Sequence, residues 1–327
     1  MASSPRERAL KALLLEEPDR VPMFELEFQY PEEVTGKSYI MAGVNEDWER
    51  VVFRGMYERM VSSGKGRNVT EHNIGVLVET CKKLGYDIIR PTFVPDPLMA
   101  IRIAKKIAPD HLVMGSTGGT LGIPNGSSAA EVVRKVYVER KSLEKEIARR
   151  TSASIEWIGM QLDAGADLVV DCTDLCLKGG PFFRPSVYEE LVFPHLKMVV
   201  DATHRRGAFF IMHTDGYLWP ILDGLVRTGI DALHSIDPSA GMKLSDVKER
   251  YGERIALCGN VDAATVLAYG SPEDVIREAR CCIEEGARGG GYFLTSSNCI
   301  YRGVPPANAL ALSNTGIRYG KYARKMP

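Results

Sequence analysis

The chain has 327 residues, of which 45% are hydrophobic and 25% are charged, and its formal net charge is -1. This composition is typical of a globular protein with enough apolar material for a core, and it excludes an intrinsically disordered chain. A net charge so close to zero, without a long Lys/Arg run, argues against nucleic acid as a partner.

The N-terminal segment carries a helix signature and no targeting signal. Ser4 is a predicted N-cap, Pro5 occupies the first helical position and Glu7 follows three residues after the cap. No apolar run approaches the ~18 residues that a membrane span requires, and charged residues occur throughout the N-terminus. We therefore expect a cytoplasmic protein without membrane association.

Short apolar runs then alternate with longer helical patterns, which is typical of consecutive parallel βα units. The predicted strands are RVPMFELE (20–27), DIIRPTF (87–93), HLVMGST (111–117), DLVVDCT (167–173), AFFIMHT (208–214), DALHSID (231–237), RIALCGN (254–260) and GYFLTSS (291–297). Eight parallel strands close a barrel. We predict an α/β fold, a single (β/α)8 TIM barrel domain over residues 1–327, with an N-terminal helix and a helical insertion after the first strand. Helical patterns at 46–62 and 70–84 predict a cap over the barrel mouth.

The ends of the predicted strands favour this barrel over an open dinucleotide-binding sheet. No G-x-G-x-x-G turn follows the first strand, as such a sheet would require. Polar residues follow nearly every run, and in a parallel barrel these ends meet at one mouth, where such enzymes place their chemistry. The polar pairs are Glu25 and Glu27, Asp171 and Asp174, His213 and Asp215, His234 and Asp237, Asn260 and Asp262, and Asn298 and Cys299.

Three of these residues form a predicted metal site. His213 and Asp215 lie at i and i+2 of one strand end, so both side chains face the same side. Cys299 follows the eighth strand in a polar loop, and the three residues supply the N, O and S donors of a zinc site with an open fourth position. The alternatives are a hydrogen-bonded core histidine at 213 and a buried packing cysteine at 299.

Other residues at the strand ends are candidates for catalysis or substrate binding. Asp171 is a predicted proton acceptor or orienting group, with capping of the next turn as its alternative. His234 is a second catalytic candidate, whereas Asn260 and Glu25 are predicted to contact substrate. The seven cysteines have irregular spacing and predict reduced thiols, and we assign the C-x3-C pair in DCTDLCLKGG (171–180) to loop packing.

Several segments together resemble the uroporphyrinogen decarboxylase superfamily, nearly from end to end. These segments are RERALKALLLEEPDRVP (6–22), IMHTDGYLWPILDGLVRTGIDALHSIDP (211–238), VKERYGERIALCGNVDAATVLAYGSPEDV (247–275), GARGGGYFLTSSNCI (286–300) and VPPANALALSNTGIRYG (304–320). The resemblance implies a (β/α)8 barrel. The superfamily contains decarboxylases and also zinc-dependent methyltransferases that exchange methyl groups with corrinoid proteins.

The loop after the first predicted strand argues against the decarboxylase branch. Decarboxylases of this family carry an arginine-rich R-Q-A-G-R loop there, which holds the substrate carboxylates. This chain reads MFELEFQYPEEVTGK (23–37), so acidic residues stand where arginines are needed and a substrate with eight carboxylates would be repelled.

The methyltransferase branch resembles this chain better. Its zinc is held by a His-x-Cys after the fifth strand and a Cys after the eighth, which His213 and Cys299 match, while Asp215 replaces the middle cysteine. A harder carboxylate ligand makes zinc a stronger Lewis acid, which favours an ether oxygen over a thiolate.

The resemblance thus implies transfer of a methyl group from a methoxylated compound, aromatic in the form we favour, to the cobalt of a corrinoid. The corrinoid would be carried by a partner protein, as for O-demethylase methyltransferases, and a homodimer is one possible oligomeric state. One alternative is a methylcorrinoid:thiol methyltransferase. The other is a non-catalytic barrel that binds a corrinoid protein or a small molecule.

Overall fold

Seven parallel strands form the central sheet in a computed structural model of the protein, which describes residues 3–40, 66–124 and 126–322. These strands are β1 (Ile88–Ile89), β2 (Leu112–Thr117), β3 (Leu168–Asp171), β6 (Phe209–Thr214), β7 (Ala232–Ser235), β8 (Ala256–Val261) and β9 (Tyr292–Ser296). They follow each other in chain order across the sheet, and a small antiparallel pair, β4 (Cys176–Leu177) and β5 (Gly180–Pro181), lies between β3 and β6 along the chain.

The first predicted strand, 20–27, lies between β9 and β1 but is not a continuous strand. Met23 forms an isolated parallel bridge with Leu294, and its carbonyl accepts a hydrogen bond from the Asp87 amide, 2.7 Å away. Pro22 has no amide proton to donate, so a regular ladder is interrupted here. The prediction of eight regular strands was therefore wrong in this detail, while the α/β TIM-barrel-like fold is confirmed.

Helices surround the sheet and follow the predicted alternation. Their bounds are Pro5–Leu13, Glu32–Thr35, Gly66–Leu84, Pro97–Ile107, Ala129–Tyr137, Arg140–Asp163, Pro185–Val187, Phe193–His204, Trp219–Arg227, Leu244–Tyr251, Val266–Tyr269, Pro272–Gly286 and Pro306–Tyr319. Ser4 forms the predicted capping box with Glu7, and the helix that it caps ends at Leu13. None of the helices within the described ranges is long and apolar enough to cross a membrane.

The predicted helical insertion has a different role from the one expected. Helix Gly66–Leu84 packs against β1 and helix Pro97–Ile107, so it belongs to the outer layer of the barrel and is not a cap over the mouth. The other predicted helix of this insertion, 46–62, lies outside the described residues.

The barrel interior is filled by apolar side chains that alternate along the strands, as the period of a strand requires. Its layers include Phe24, Ile88, Leu112, Met114, Leu168, Val170, Ile211, Ala232, Ala256, Cys258 and Phe293. A second, larger cluster packs between the sheet and the helices. The interior is therefore a solid core, and polar groups are left at its two ends.

At the amino ends of the strands, Asp87 pairs with two arginines. Its carboxylate is fully buried and lies 2.5 Å from Arg8 Nη1 and 3.2 Å from Arg20 Nη1. Arg8 also contacts Asp19 at 2.7 Å, which attaches the N-terminal helix to the base of the barrel. This end of the barrel serves stability, since the carboxyl ends of the strands, on the opposite side, hold the site described next.

Candidate metal centre

Three potential ligand groups meet at the carboxyl ends of β3 and β6. Asp174, His213 and Asp215 each offer one ligand atom, and these atoms lie within 4.8 Å of one another. His213 Nε2 lies 3.9 Å from Asp215 Oδ1, and the Asp215 amide donates to Asp174 Oδ1 at 3.1 Å. The convergence of His213 and Asp215 follows from their i, i+2 spacing. Asp174 was a predicted strand-end residue without an assigned role as a ligand.

A glycine immediately after Asp215 turns the chain away from the strand. Gly216 has a φ of +91°, and a Cβ at this position would lie 2.6 Å from the carbonyl oxygens of Cys176 and Leu177. Only glycine has both the conformational freedom and the small size that this approach requires. The turn is thereby held against the β4–β5 pair, close to the loop that carries Asp174.

Each oxygen of the Asp215 carboxylate accepts one hydrogen bond. Ser235 Oγ donates to Oδ1 and Asn298 Nδ2 donates to Oδ2, both at 2.6 Å. Burial raises the pKa of Asp215, and the two hydrogen bonds oppose this shift by stabilising the charged form. Ser235 has a φ of +94°, a strained backbone conformation of the kind found at functional sites. Neither Ser235 nor Asn298 was predicted to orient a ligand.

One assignment of protons to the two histidines satisfies the chain of hydrogen bonds that runs through them. The Thr295 hydroxyl donates to the Ser296 carbonyl at 2.8 Å, so its oxygen accepts from His234 Nε2, 3.2 Å away. His234 Nδ1 then carries the lone pair that accepts from His213 Nδ1–H, at 2.8 Å. Burial lowers the pKa of His213 to about 4 and that of His234 well below its usual value, so each ring is neutral and holds one proton.

This arrangement leaves the Nε2 lone pair of His213 facing a carboxylate oxygen of Asp215. Two acceptors that face each other repel, unless a cation lies between them. Asp174 and Asp215 together supply two negative charges, which balance a divalent ion. An imidazole nitrogen and two carboxylate oxygens, with a cavity beside them, fit a zinc site that keeps an open position for substrate.

Cys299 is not part of this group of mutually close ligand atoms. It is partly buried, and its pKa is raised by burial and by the neighbouring carboxylates of Glu27 and Glu25. Ligation of the metal by Cys299 stays a prediction.

The two predicted catalytic residues are both buried. Asp171 accepts from Thr173 Oγ1 at 2.5 Å, and burial raises its pKa to about 6. His234 is completely buried, and its Nδ1 lies 2.8 Å from His213 Nδ1. Their catalytic roles stay predictions.

The two residues predicted to contact substrate are also engaged within the protein. Asn260 donates to the Ile236 carbonyl at 3.0 Å and accepts from the thiol of Cys282. Glu25 accepts two hydrogen bonds from Ser296, and burial raises its pKa to about 8. Neither residue is among those that line the cavity described below. That they contact substrate stays a prediction.

A cavity of about 1550 Å³ opens beside the metal-ligand group and is large for a single small molecule. Asp174 and Asp215 line this cavity, and Glu27 contributes another carboxylate. Aromatic and cationic side chains line the remainder, among them Phe93, Trp157, Arg90 and Arg150. The cavity can therefore bring an organic molecule into contact with the ligand group.

Comparison with known proteins gives a family match over most of the chain. A family model described as Uroporphyrinogen decarboxylase (URO-D) matches residues 71–319. A uroporphyrinogen decarboxylase from Aliivibrio salmonicida is 27% identical over 237 residues, which cover 66% of this chain and 64% of the relative. One from Photobacterium profundum is 26% identical over 236 residues, covering 66% and 63%. The chain thus spans just under two thirds of the length of these curated relatives.

A solved structure has the same fold over nearly the whole chain. A methyltransferase from Methanosarcina mazei superposes with a TM-score of 0.69 at 18% sequence identity, covering 97% of this chain and 99% of that one. The family model begins at residue 71. The match to this solved structure also includes described residues that precede residue 71.

Proposed function

Because the chain belongs to the uroporphyrinogen decarboxylase family, we propose that it is a zinc-dependent methyltransferase of that family. In this proposal a methyl group moves from a methoxylated aromatic compound to the cobalt of a corrinoid held by a partner protein. The observation that carries the proposal is the convergence of Asp174, His213 and Asp215, whose ligand atoms lie within 4.8 Å of one another.

The ligand group supports oxygen chemistry more than thiol chemistry. A zinc ion bound there would act as a Lewis acid, stabilising the oxygen that leaves as an alkoxide or phenoxide. Asp215 is held by Ser235 and Asn298, and His213 is oriented by His234, so both would bind the metal without rearranging. The aromatic walls formed by Phe93 and Trp157 suit an aromatic methoxy compound.

The names of the sequence relatives favour decarboxylation of a porphyrinogen as the second candidate. A porphyrinogen with several carboxylates would need cations at the mouth, as bidentate arginines provide. The segment 21–40 contains no arginine, and the described residues that line the cavity include only two arginines, Arg90 and Arg150, beside the three carboxylates of Glu27, Asp174 and Asp215. Repulsion between like charges is the reason for preferring methyl transfer.

The test combines zinc analysis with two activity assays on the purified full chain. We expect about one zinc ion per chain, and substantially less in His213→Ala and Asp215→Asn. His204→Ala is the matched control, because His204 also pairs with a carboxylate, Asp231, but outside the cavity. Cys299→Ser decides whether that thiol is a further ligand.

Activity is measured with reduced free cobalamin and a set of methoxyarenes, where methyl transfer produces the absorbance spectrum of methylcobalamin. The thiol alternative is measured in the opposite direction, by demethylation of methylcobalamin in the presence of thiols. Full zinc occupancy in both ligand variants would overturn the metal site. Decarboxylation of uroporphyrinogen without any methyl transfer would overturn the proposed activity.

A further inference from the structure

Arg90 is a cationic residue in the wall of the cavity that also holds Asp174 and Asp215. It directly follows β1, and only 13% of its side chain is exposed. A guanidinium carries five N–H donors and no acceptor, so each donor needs an acceptor from the protein, from water or from a ligand. The partners of Arg90 therefore show what remains for a ligand to bind.

The protein satisfies this guanidinium only in part. Nη1 donates to the Leu26 carbonyl at 2.7 Å and lies 3.7 Å from Glu27, beyond hydrogen-bonding distance. Nη2 has a thiol acceptor, Cys172 Sγ, at 3.8 Å, and sulfur accepts hydrogen bonds weakly. Nε is buried and has no hydrogen-bond partner.

A second donor without a partner stands two residues further along the same wall. Thr92 Oγ1 is also buried without a hydrogen-bond partner, and Thr92 lines the cavity together with Arg90. Buried polar groups in folded proteins are satisfied in the great majority of cases, so two neighbouring exceptions beside one cavity require an explanation. Because both residues line the cavity, an acceptor bound there is the candidate partner for these donors.

From these unsatisfied donors we infer that Arg90 and Thr92 form a subsite for the carboxylate of an aromatic acid. The inference rests on the proposed function, because the methoxyl group of the same molecule would then face Asp174 and Asp215. A planar carboxylate matches the fork of a guanidinium. A phosphate carries more negative charge and would be repelled more strongly by the acidic groups that line the cavity.

The other residues around the subsite are consistent with an aromatic ring. Phe93 lies next to Thr92 in sequence and lines the cavity, as does Trp157. The indole of Trp157 is fixed by a hydrogen bond from Nε1 to the Ser116 carbonyl at 3.0 Å. A ring held by these side chains would connect the carboxylate at Arg90 to a methoxyl group at the ligand group.

Arg150 provides a matched control within the same cavity. Its side chain is 48% exposed and pairs with Glu146, so its charge already has a partner on the same helix. Removing Arg150 changes the net charge of the cavity by the same amount as removing Arg90. Any effect specific to Arg90 therefore reflects the local donors and not the total charge.

The experiment compares benzoate with benzamide, and 3-methoxybenzoate with 3-methoxybenzamide, by isothermal titration calorimetry of the full chain. We expect the acid to bind at least about tenfold more tightly than the amide of the same shape. Arg90→Gln should abolish this preference, whereas Arg150→Gln should retain it. Thr92→Val should reduce the preference without abolishing it.

Several results would overturn the inference. The first is an equal affinity of the wild type for the acid and the amide. The second is a preference for the acid that survives Arg90→Gln, and the third is binding of inorganic phosphate in competition with benzoate. If Arg90→Gln does not fold, as judged by circular dichroism, Arg90→Lys replaces it and should lower the preference because lysine lacks the fork. Benzoate has no methyl group to transfer, so this test can succeed or fail independently of zinc content and methyl transfer.

Discussion

Replacing His234 with phenylalanine tests the hydrogen-bond chain behind the candidate metal ligand. His234 is completely buried, and its Nδ1 lies 2.8 Å from His213 Nδ1. Phenylalanine offers no acceptor, so the Nδ1–H of His213 loses its partner and the proton is free to move to Nε2. That tautomer has no lone pair available for a metal at Nε2.

The expected loss of zinc affinity follows from this change. Removing a partner that orients a ligating histidine weakens metal binding by about 10–100-fold, which corresponds to roughly 1.4–2.8 kcal/mol. The unsatisfied donor is an additional cost of about 1–3 kcal/mol to the metal-free fold. Zinc affinity is measured by competition with a chromophoric chelator, and stability by urea denaturation.

His234→Gln is the control, because its amide oxygen can accept from His213 while its amide nitrogen donates to Thr295. It should recover much of the lost zinc affinity, although it also changes the buried side chain. A zinc affinity of His234→Phe within about threefold of the wild type, with the fold intact, would refute the proposed proton arrangement. Equal zinc losses in both variants would show that His234 acts only through packing.

Three further predictions concern stability. Gly216→Ala should lower the free energy of unfolding by at least about 1–3 kcal/mol, because residue 216 has a positive φ and the new Cβ would approach the Cys176 carbonyl. Thermal unfolding measures this loss. Asp87→Ala should lower the free energy of unfolding by about 3–5 kcal/mol, because Arg8 loses its buried partner. Glu71→Ala removes one side of an exposed ion pair and should lower it by less than about 1 kcal/mol. Urea denaturation measures both values. The pKa of Glu25 is raised from 4.5 to about 8 in the folded state. Between these two pH values the folded protein binds one more proton at Glu25 than the unfolded protein does, so stability should fall as the pH rises through this window. Urea midpoints measured across this window should show the decrease, and it should be smaller in Glu25→Gln.

The fold could be predicted from the sequence because hydrophobic periodicity and turn residues recur with each βα unit. The predicted strands from 87 onward each overlap an observed strand, although β1 is only two residues long and β8 extends one residue beyond the predicted range. The segment 20–27 was the exception. Here the Glu25 side chain, and not a backbone carbonyl, accepts the hydrogen bond from the Ser296 amide at 2.8 Å. A periodic pattern does not reveal when a side chain replaces the backbone in this way.

The candidate site was only partly predictable, for a related reason. His213 and Asp215 lie on a regular strand end, where alternation fixes the side that each one faces. Asp174 lies beyond the end of β3, in a loop whose course depends on the β4–β5 pair, and no period describes such a loop. Arg90 and Thr92 likewise follow a strand, and only their missing hydrogen bonds, which require coordinates, distinguish them from other polar residues.

The environment of Asp215 explains why this residue is more than a substitute for the cysteine that the methyltransferase branch has at this position. Ser235 and Asn298 each donate to a different carboxylate oxygen at 2.6 Å, so the pocket around residue 215 supplies two strong donors. A thiolate has a single, larger and more weakly accepting atom, and it could not satisfy both donors in these positions. The Asp215 carboxylate and its two donors therefore form one matched unit, and the proposed preference for an ether oxygen over a thiol rests on all three residues together.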